Sequence, residues 1–257
     1  MRISKHTFET MQKQIFLDCN VEEAIKIKED LYIAPSIVLP GSRMIDKMDP
    51  FFRVIVYMGK AYVMADRDTI DGWIEILKDY PAEWFFNFGR LKKIDHILQE
   101  FDREIVDTHI YFLPDEDYPV YPIPSDYKWF TLQEISDYKD KCEFPHALCY
   151  SPTQPDVYAV AALSKNGEYK AMSGASDDGL YVRQIGIDVK PKYQGEGLAT
   201  SLVTSLKQQI IEDGFLPFYG TSESHALSRS VGIKSGFLPA FSELFVSKIG
   251  NKVNRDI

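Results

Sequence analysis

The sequence has little cysteine and no long apolar run. Its three cysteines, Cys19, Cys142 and Cys149, form no Cys-x-x-Cys pair, and we expect them to be reduced, buried side chains of a cytoplasmic protein. No Cys or His spacing typical of a metal site is present, so we expect no metal. No stretch approaches the ~18 consecutive apolar residues that a membrane span needs. We also expect no signal peptide at residues 1–6.

Basic residues are outnumbered as well. Lys and Arg number 29 against 38 Asp and Glu, which gives a formal net charge of −9. Nucleic acids and anionic membranes are bound by basic surfaces, so we expect neither as a partner. The 45% hydrophobic content, with 16 Phe, 15 Tyr and 3 Trp, is enough for the core of one large or two small domains.

The first half of the chain is predicted to be a small α/β region. Its apolar spacing predicts that residues 1–31 are helical in part, notably at 21–28, and predicts helices over 91–98 and from Asp68 or Asp71 to Leu77. It also predicts a hairpin over 51–65 and a strand over 105–113. An acidic, proline-rich segment follows at 114–124 and is the predicted domain boundary. The predicted domains are therefore residues 1–125 and 126–257.

The second half alternates strands and helices. Thr131 and Glu134 form a capping-box pattern, which predicts the start of a helix. The Asn166-Gly167 pair predicts a hairpin turn between strands over 157–163 and 170–173. Residues 182–189, rich in Val and Ile, predict a further strand, and the apolar positions from Leu198 predict a helix.

The most informative segment is the glycine-rich turn between that strand and that helix. Free N–H groups and the positive end of the helix dipole meet at such a turn, and Gly195 and Gly197 allow close approach of a ligand. The pattern predicts a phosphate or diphosphate site. A dinucleotide fingerprint matches only in part, because its third glycine is absent. An ordinary strand, turn and helix with no ligand is the other alternative.

The segment Gln194-Gly-Glu-Gly-Leu-Ala199 resembles the acetyl-CoA loop Gln/Arg-x-x-Gly-x-Gly/Ala of the GNAT acyltransferase superfamily. Residues 218–224 and 226–237 resemble the strand, helix and Gly-Phe turn that follow it. The chain is also similar to a little-characterised bacterial subgroup with an extra N-terminal region. The resemblance covers residues 126–257 well. It implies an α/β (α+β) GNAT fold there, a mixed sheet with splayed parallel strands flanked by helices, preceded by a smaller α/β region that a degenerate GNAT-like half would explain.

The resemblance also implies acetyl-CoA as co-substrate. Main-chain groups of Ile187 and Val189 would pair with its pantetheine arm, and the Ile187 N–H would stabilise the oxyanion of the tetrahedral intermediate. Thr200 and Ser201 would add hydroxyl contacts. The diphosphate would be held by the N–H groups of Gln194, Gly195, Glu196, Gly197, Leu198 and Ala199.

Two positions of this loop depart from the family's usual charges. Gln194 and Glu196 stand where Arg and Lys are frequent. We therefore expect weaker cofactor affinity, with Lys190 and Lys192 compensating in part.

Catalytic residues are harder to assign. The family's usual tyrosine acid falls on Gly232 and is absent, while its usual asparagine aligns with His225. The nearby candidates are Tyr219, Glu223 and His225, each with an alternative role: core packing for Tyr219, a solvated side chain for Glu223, and capping or cofactor contact for His225. Asp188 is expected to face away from the thioester and to make a structural hydrogen bond. The four histidines outside this group, namely His6, His96, His109 and His146, are expected to be structural.

The sequence therefore predicts an N-acetyltransferase. It would move an acetyl group from acetyl-CoA to a primary amine of a small acceptor, by direct attack in a ternary complex. A non-catalytic acyl-CoA sensor or scaffold is the main alternative, and a protein-interaction domain that binds no CoA is a third. A homodimer is left open.

Overall fold

The structure is a computed structural model, which describes residues 2–44, 49–141 and 143–250. Contacts between its Cα atoms group the chain into two compact units. The first unit comprises residues 2–11, 44 and 112–239, and the second comprises 12–43, 49–111 and 240–250. Both units are discontinuous in sequence, so they do not coincide with the predicted domains 1–125 and 126–257. Among the described residues, no helix is long and apolar enough to cross a membrane.

The first unit contains a mixed sheet with helices between its strands. Its strands lie in the order β6, β7, β8, β9, β10, antiparallel from β6 to β9 and parallel between β9 and β10. The strands are β6 (Lys128–Trp129), β7 (Asp156–Leu163), β8 (Tyr169–Asp177), β9 (Val182–Val189) and β10 (Leu216–Ser222). The helices are α4 (Leu132–Tyr138), α5 (Leu198–Glu212) and α6 (Ala226–Lys234).

The capping box and the hairpin turn predicted for the first unit are both present. The Thr131 side chain accepts a hydrogen bond from the Glu134 N–H at 3.3 Å, and the Glu134 carboxylate accepts one from the Thr131 N–H at 2.8 Å. This capping box opens α4. Gly167 has φ +79° in the turn between β7 and β8, a conformation that glycine adopts without strain. The predicted hairpin is confirmed.

One face of α5 supplies much of the first unit's core. Leu202, Val203, Leu206 and Ile210 are fully buried and follow helical spacing. Burying one such side chain stabilises the fold by roughly 1.5–3 kcal/mol. The helix that carries the glycine-rich turn is therefore held firmly, which keeps its N-terminus in a set position.

The strands of the second unit lie in the order β1, β2, β4, β3, β11, β5. Its strands are β1 (Ile25–Lys28), β2 (Leu31–Pro35), β3 (Phe52–Tyr57), β4 (Lys60–Ala65), β5 (Arg103–Pro114) and β11 (Phe237–Lys248), and its helices are α2 (Ile70–Leu77) and α3 (Phe88–Gln99). The remaining helix, α1 (Lys5–Asp18), has residues in both units, as do β5 and β11. Only β2 and β4 are recorded as a parallel pair among the described strands of this unit.

The partial helix predicted within residues 1–31 is present as α1, Lys5–Asp18, but its placement at 21–28 is wrong. A short 3-10 turn covers Val21–Glu23, and Ile25–Lys28 is a strand. Ile25 pairs with Ile33 of β2, and this pairing outweighs the weak helical spacing of the segment. The predicted hairpin at 51–65, the helices ending at Leu77 and covering 91–98, and the strand over 105–113 are all present.

The second unit buries four charged side chains together. Arg43 Nε lies 2.6 Å from Asp18 Oδ2, Arg43 Nη2 lies 3.1 Å from Glu243 Oε2, and Arg53 Nε donates to Glu243 Oε1 at 2.6 Å. All four side chains are at most 2% exposed. Two cations and two anions balance one another, which is the condition for burying charge without a large penalty.

The cysteines do not share one environment. Cys19 is buried as predicted, and burial raises the pKa of its thiol to about 12. Cys149 is exposed, so the prediction of a buried side chain is wrong there. It lies on the segment between α4 and β7, where its thiol donates to the Pro145 carbonyl at 3.4 Å. Cys142 lies outside the described residues.

Candidate functional site

Two neighbouring parallel strands of the first unit are paired over only part of their length. The recorded register of β9 and β10 runs from Val182 opposite Leu216 to Ile185 opposite Tyr219. Beyond that point β9 continues to Val189 and β10 to Ser222. The facing edges of the two strand ends are therefore available to pair with something else.

The free edge of β9 belongs to Ile187 and Val189. The Gly186 carbonyl accepts a hydrogen bond from Ser173 Oγ on β8 at 2.8 Å, and the Lys190 N–H donates to the Lys170 carbonyl at 3.0 Å. Main-chain groups of successive residues point to alternate edges of a strand. Those of Ile187 and Val189 therefore point away from β8, towards the side on which β10 lies.

The loop after β9 is shaped by two glycines in the left-handed conformation. Gly195 has φ +86° and Gly197 has φ +79°, and Gly197 is the N-cap residue of α5. A Cβ added at either position would meet no atom within 4 Å. The glycines are therefore required by their backbone conformation, and the space above them is open for a ligand.

The first turn of α5 presents N–H groups without acceptors. The first recorded bond of the helix is from the Ser201 N–H to the Gly197 carbonyl at 3.1 Å. Within the described parts of the chain, no acceptor is recorded for the N–H groups of Leu198, Ala199 or Thr200. Such groups at a helix N-terminus bind anions. The side-chain hydroxyl of Ser201 accepts a hydrogen bond from Tyr127 Oη at 2.7 Å.

The lysines expected to compensate for the loop's weak positive charge already have partners. Lys192 Nζ lies 2.7 Å from Glu168 Oε2, and Lys190 Nζ lies 3.5 Å from Glu168 Oε1. Hydrogen bonds, first from Lys192 and then from Tyr193, lower the pKa of Glu168 to about 2. Glu196 itself pairs with Lys170. A bound diphosphate would therefore compete with carboxylates of the protein for these cations.

Tyr219 occupies the space that the missing tyrosine acid leaves. Its ring comes from β10, and a Cβ added at Gly232 would lie 3.1 Å from its Cδ1 atom. Its hydroxyl is 2.7 Å from Ser228 Oγ, and the residue is 2% exposed. Burial raises the pKa of Tyr219. This environment fits the packing alternative for Tyr219.

The other two predicted catalytic residues lie on the turn between β10 and α6. Glu223 and His225 are both exposed, and His225 is the N-cap residue of α6 without a side-chain capping bond. The turn is held by hydrogen bonds to its carbonyls: the Arg229 side chain donates from Nη1 to the Glu223 carbonyl at 3.0 Å, and the His225 N–H donates to the Ser222 carbonyl at 3.1 Å. The structure thus brings Glu223 and His225 to one turn and buries Tyr219 on the preceding strand.

His146 is one of the four histidines that the sequence predicts to be structural. It lies on the segment between α4 and β7, and its Nε2 atom is 3.9 Å from Asp188 Oδ1. Asp188 makes the structural hydrogen bonds expected of it, accepting the N–H groups of His146 at 2.7 Å and Ala147 at 2.9 Å. No local pattern signals this contact, because the two residues lie 42 positions apart.

These features together identify the architecture. The antiparallel order β7, β8, β9, the parallel pair β9 and β10 with separate ends, and the glycine loop leading into α5 reproduce the arrangement that the resemblance implies. This arrangement of strands, loop and helix is the one expected of a GNAT-type fold. No family model and no curated protein matches the sequence. In the described residues no cluster of three or more His, Cys, Asp or Glu side chains suits a metal ion.

Several solved structures similar to this chain are named as GNAT proteins, all of low sequence identity. An acetyltransferase of the GNAT family from Colwellia psychrerythraea is 13% identical with a TM-score of 0.41, over 57% of each chain. A GCN5-related N-acetyltransferase from Kribbella flavida is 17% identical with a TM-score of 0.44, over 62% of this chain and 64% of that one. A tandem GNAT protein from the clavulanic acid biosynthesis pathway is 14% identical with a TM-score of 0.47, over 70% of each. The chain spans less than two thirds of the first two.

Proposed function

We propose that the chain is an N-acetyltransferase that transfers the acetyl group of acetyl-CoA to a primary amine of a small acceptor. One observation carries the proposal. Main-chain donors of Ile187 and Val189 on the free edge of β9 are followed by unpaired N–H groups at the start of α5, with a loop of positive-φ glycines between them. This series offers the main-chain partners that a pantetheine arm ending in a diphosphate would use.

The residues present fit that ligand. Ile187 and Val189 would extend the sheet onto the amide groups of the pantetheine arm, and Leu198, Ala199 and Thr200 would donate to the diphosphate. Gly195 and Gly197 keep side chains out of the cradle. Glu196 lies in the loop and weakens the attraction for an anion, because it is negatively charged and pairs with the positive charge of Lys170.

Acetyl-CoA supplies an activated acyl group when bound. The Ile187 N–H is the donor proposed to stabilise negative charge that develops on the thioester oxygen during attack by the amine. Glu223 and His225, exposed after β10, remain candidates for accepting the amine proton. Tyr219 is assigned a packing role because it is buried against Gly232.

The acceptor is proposed to be a small amine. The net charge of −9 favours approach of a cation over an anion at neutral pH.

Calorimetric titration with acetyl-CoA tests the proposal, with CoA and NADH as comparison ligands. We expect acetyl-CoA and CoA to bind with Kd values of about micromolar. NADH shares a diphosphate but has no pantetheine arm, so we expect it to bind at least ~10-fold more weakly. Absence of acetyl-CoA binding by the folded protein would refute the proposal.

A non-catalytic acyl-CoA sensor is the second candidate function. It is favoured by Gly232 in place of the usual tyrosine acid and by the pairing of Glu196 with Lys170. Release of free CoA thiol in the presence of acetyl-CoA and a panel of primary amines separates the two. Amine-dependent release supports the enzyme, and tight binding without release supports the sensor.

A further inference from the structure

The segment between α4 and β7 passes directly over the two middle strands of the first unit. A Cβ added at Gly186 on β9 would lie 1.8 Å from the His146 carbonyl oxygen, and one added at Gly174 on β8 would lie 2.0 Å from the Ala147 carbonyl oxygen. No side chain other than hydrogen fits at either glycine. These two glycines therefore let the backbone of His146 and Ala147 lie against the sheet.

Asp188 holds this segment in place. One oxygen of its carboxylate, Oδ2, accepts the N–H groups of both His146 and Ala147. The other oxygen, Oδ1, faces His146 Nε2 at 3.9 Å. The carboxylate is 17% exposed while the imidazole is 47% exposed, so the ring is oriented from the protein side and open on the other.

The pair lies next to the free edge of β9. Asp188 directly follows Ile187, whose N–H points to the side where pairing with β10 has ended. The backbone of His146 lies over Gly186, which directly precedes Ile187. The segment that carries His146 is thus in contact with the residues on both sides of Ile187.

We propose that His146 accepts the proton of the acceptor amine and that Asp188 positions its imidazole; this inference rests on the proposed function. In the step, the amine nitrogen forms a bond to the acetyl carbon and gives its proton to the imidazole, while the bond from that carbon to sulfur breaks. The sulfur leaves with the electron pair and is protonated from solvent. His146 then returns the amine's proton to water.

His146 and His225 are both exposed, but the groups around their side chains differ. His146 has a carboxylate 3.9 Å from its Nε2 atom, a neighbour of the kind that orients general bases in enzymes. For His225, the described residues record no hydrogen bond or ion pair of the side chain. The geometry therefore favours His146 over His225, which aligns with the family's usual asparagine.

Chemical labelling tests the location of His146 without knowledge of the acceptor. Diethyl pyrocarbonate transfers an ethoxycarbonyl group to accessible unprotonated imidazoles, and peptide mass spectrometry measures the rate at each histidine. With acetyl-CoA at ~10 times its Kd, we expect labelling of His146 to slow about tenfold. His6, exposed on α1, is the internal control and should be labelled at an unchanged rate. Protection of His225 but not His146 would overturn the inference.

Two conservative variants test the roles in turnover of the best amine from the panel. His146→Gln should lower kcat about 100-fold and leave the Kd for acetyl-CoA unchanged. Asp188→Asn keeps an oxygen for the two N–H groups of the segment, and it should lower kcat about tenfold with little change in KM. The double variant should be no slower than His146→Gln alone, because Asp188 acts through the imidazole. Full activity of His146→Gln would overturn the assignment.

The calorimetric titration with acetyl-CoA distinguishes failure of the proposed function from failure of the inference about His146. If acetyl-CoA does not bind the wild-type protein, the proposed function and this inference fail together. If acetyl-CoA binds but labelling of His146 stays as fast as in its absence, only the inference fails. Loss of acetyl-CoA binding in the folded His146→Gln variant would also overturn it, since that result assigns His146 to the cofactor cradle.

Discussion

Among the described strands, β2 and β4 of the second unit and β9 and β10 of the first unit are parallel pairs, and they differ in how far the pairing extends. In the second unit, β2 and β4 are paired along the whole of β2, from Leu31 opposite Ala61 to Pro35 opposite Ala65. In the first unit, the pairing of β9 with β10 ends at Ile185, and β9 continues to Val189. The same kinds of main-chain groups bond to a neighbouring strand in the second unit and are available to a ligand in the first unit.

The helix that follows each pair shows the same contrast. After β4, the turn before α2 is closed by Asp66, whose side chain accepts the Asp68 N–H at 3.1 Å and whose carbonyl accepts the Thr69 N–H at 3.0 Å. After β9, Gly195 and Gly197 form the turn instead, and no carboxylate caps α5. Asp71 in the first turn of α2 already places a negative charge at this helix start, so it is unsuited to an anion, whereas the first turn of α5 has no acidic residue.

A binding site of this kind thus depends on main-chain N–H and carbonyl groups that have no partner within the protein. Strand, turn and helix occur in both units, and strand pairing and capping determine whether the main chain keeps free donors. The second unit also buries its charges as a balanced group of four, whereas the charged side chains of the glycine loop are partly exposed. The following predictions test these differences, from the largest expected effect to the smallest.

Breaking the buried charge group should have the largest effect. Glu243→Gln leaves Arg43 and Arg53 with one carboxylate between them, and we expect the free energy of unfolding to fall by about 3–5 kcal/mol. Urea denaturation measures it. The control Glu75→Gln removes an exposed ion pair on α2 and should cost about 0–1 kcal/mol. Equal losses in the two variants would contradict the proposed importance of burial.

Closing the glycine loop should abolish its use as an anion site. Gly197→Glu places a carboxylate in the open space at the start of α5, and we expect acetyl-CoA affinity to fall about 100-fold. Calorimetry measures the change. Gly167→Glu is a matched control, because Gly167 has the same φ of +79° and equal free space in a hairpin turn. If both variants bind acetyl-CoA as the wild type does, the loop assignment is wrong.

A single buried lysine in the first unit should make stability depend on pH. Lys207 donates to the Ser235 carbonyl at 2.7 Å, and desolvation lowers its pKa to about 8. The unfolded chain keeps a lysine pKa near ~10.4, so it binds more protons between these values, and the free energy of unfolding rises with pH.

Comparison with Lys207→Met isolates this contribution. Below pH 8 both states of the wild type hold the proton, and the difference between the proteins should be constant. From about pH 8 to 10, the wild type should gain about 1–2 kcal/mol relative to the variant. Urea unfolding at several pH values measures this difference. Parallel stability curves would mean that the environment of Lys207 does not shift its pKa.

Removing the loop's own carboxylate should have the smallest effect. Glu196→Gln frees Lys170 and removes a negative charge near the proposed diphosphate, so acetyl-CoA affinity should rise about threefold at low salt. Glu212→Gln, at the exposed end of α5, should change nothing. Salt should reduce the gain because exposed charges are screened. An unchanged Kd for Glu196→Gln at low salt would show that this pair does not compete with the ligand.

Features that depend on neighbours in the chain were predictable. The capping box of Thr131 and Glu134, the turn at Gly167 and the glycine loop are all set within a few residues, so their chemistry is visible in the sequence. The loop also carried the resemblance from which the GNAT fold was predicted. The segment 21–28 shows the limit, since its pairing with Leu31–Pro35 outweighs its own periodicity.

The sequence by itself determined the glycine loop and the helix after it. A turn at positive φ needs glycine, and a helix with one buried face needs apolar residues at helical spacing, and both conditions are met within a short segment. Only the tertiary structure decided that β9 loses its partner after Ile185, that Tyr219 fills the space at Gly232, and that Asp188 meets His146. These contacts join residues far apart in the chain. They follow from how strands align and how segments pack, and neither is encoded in any short stretch of sequence.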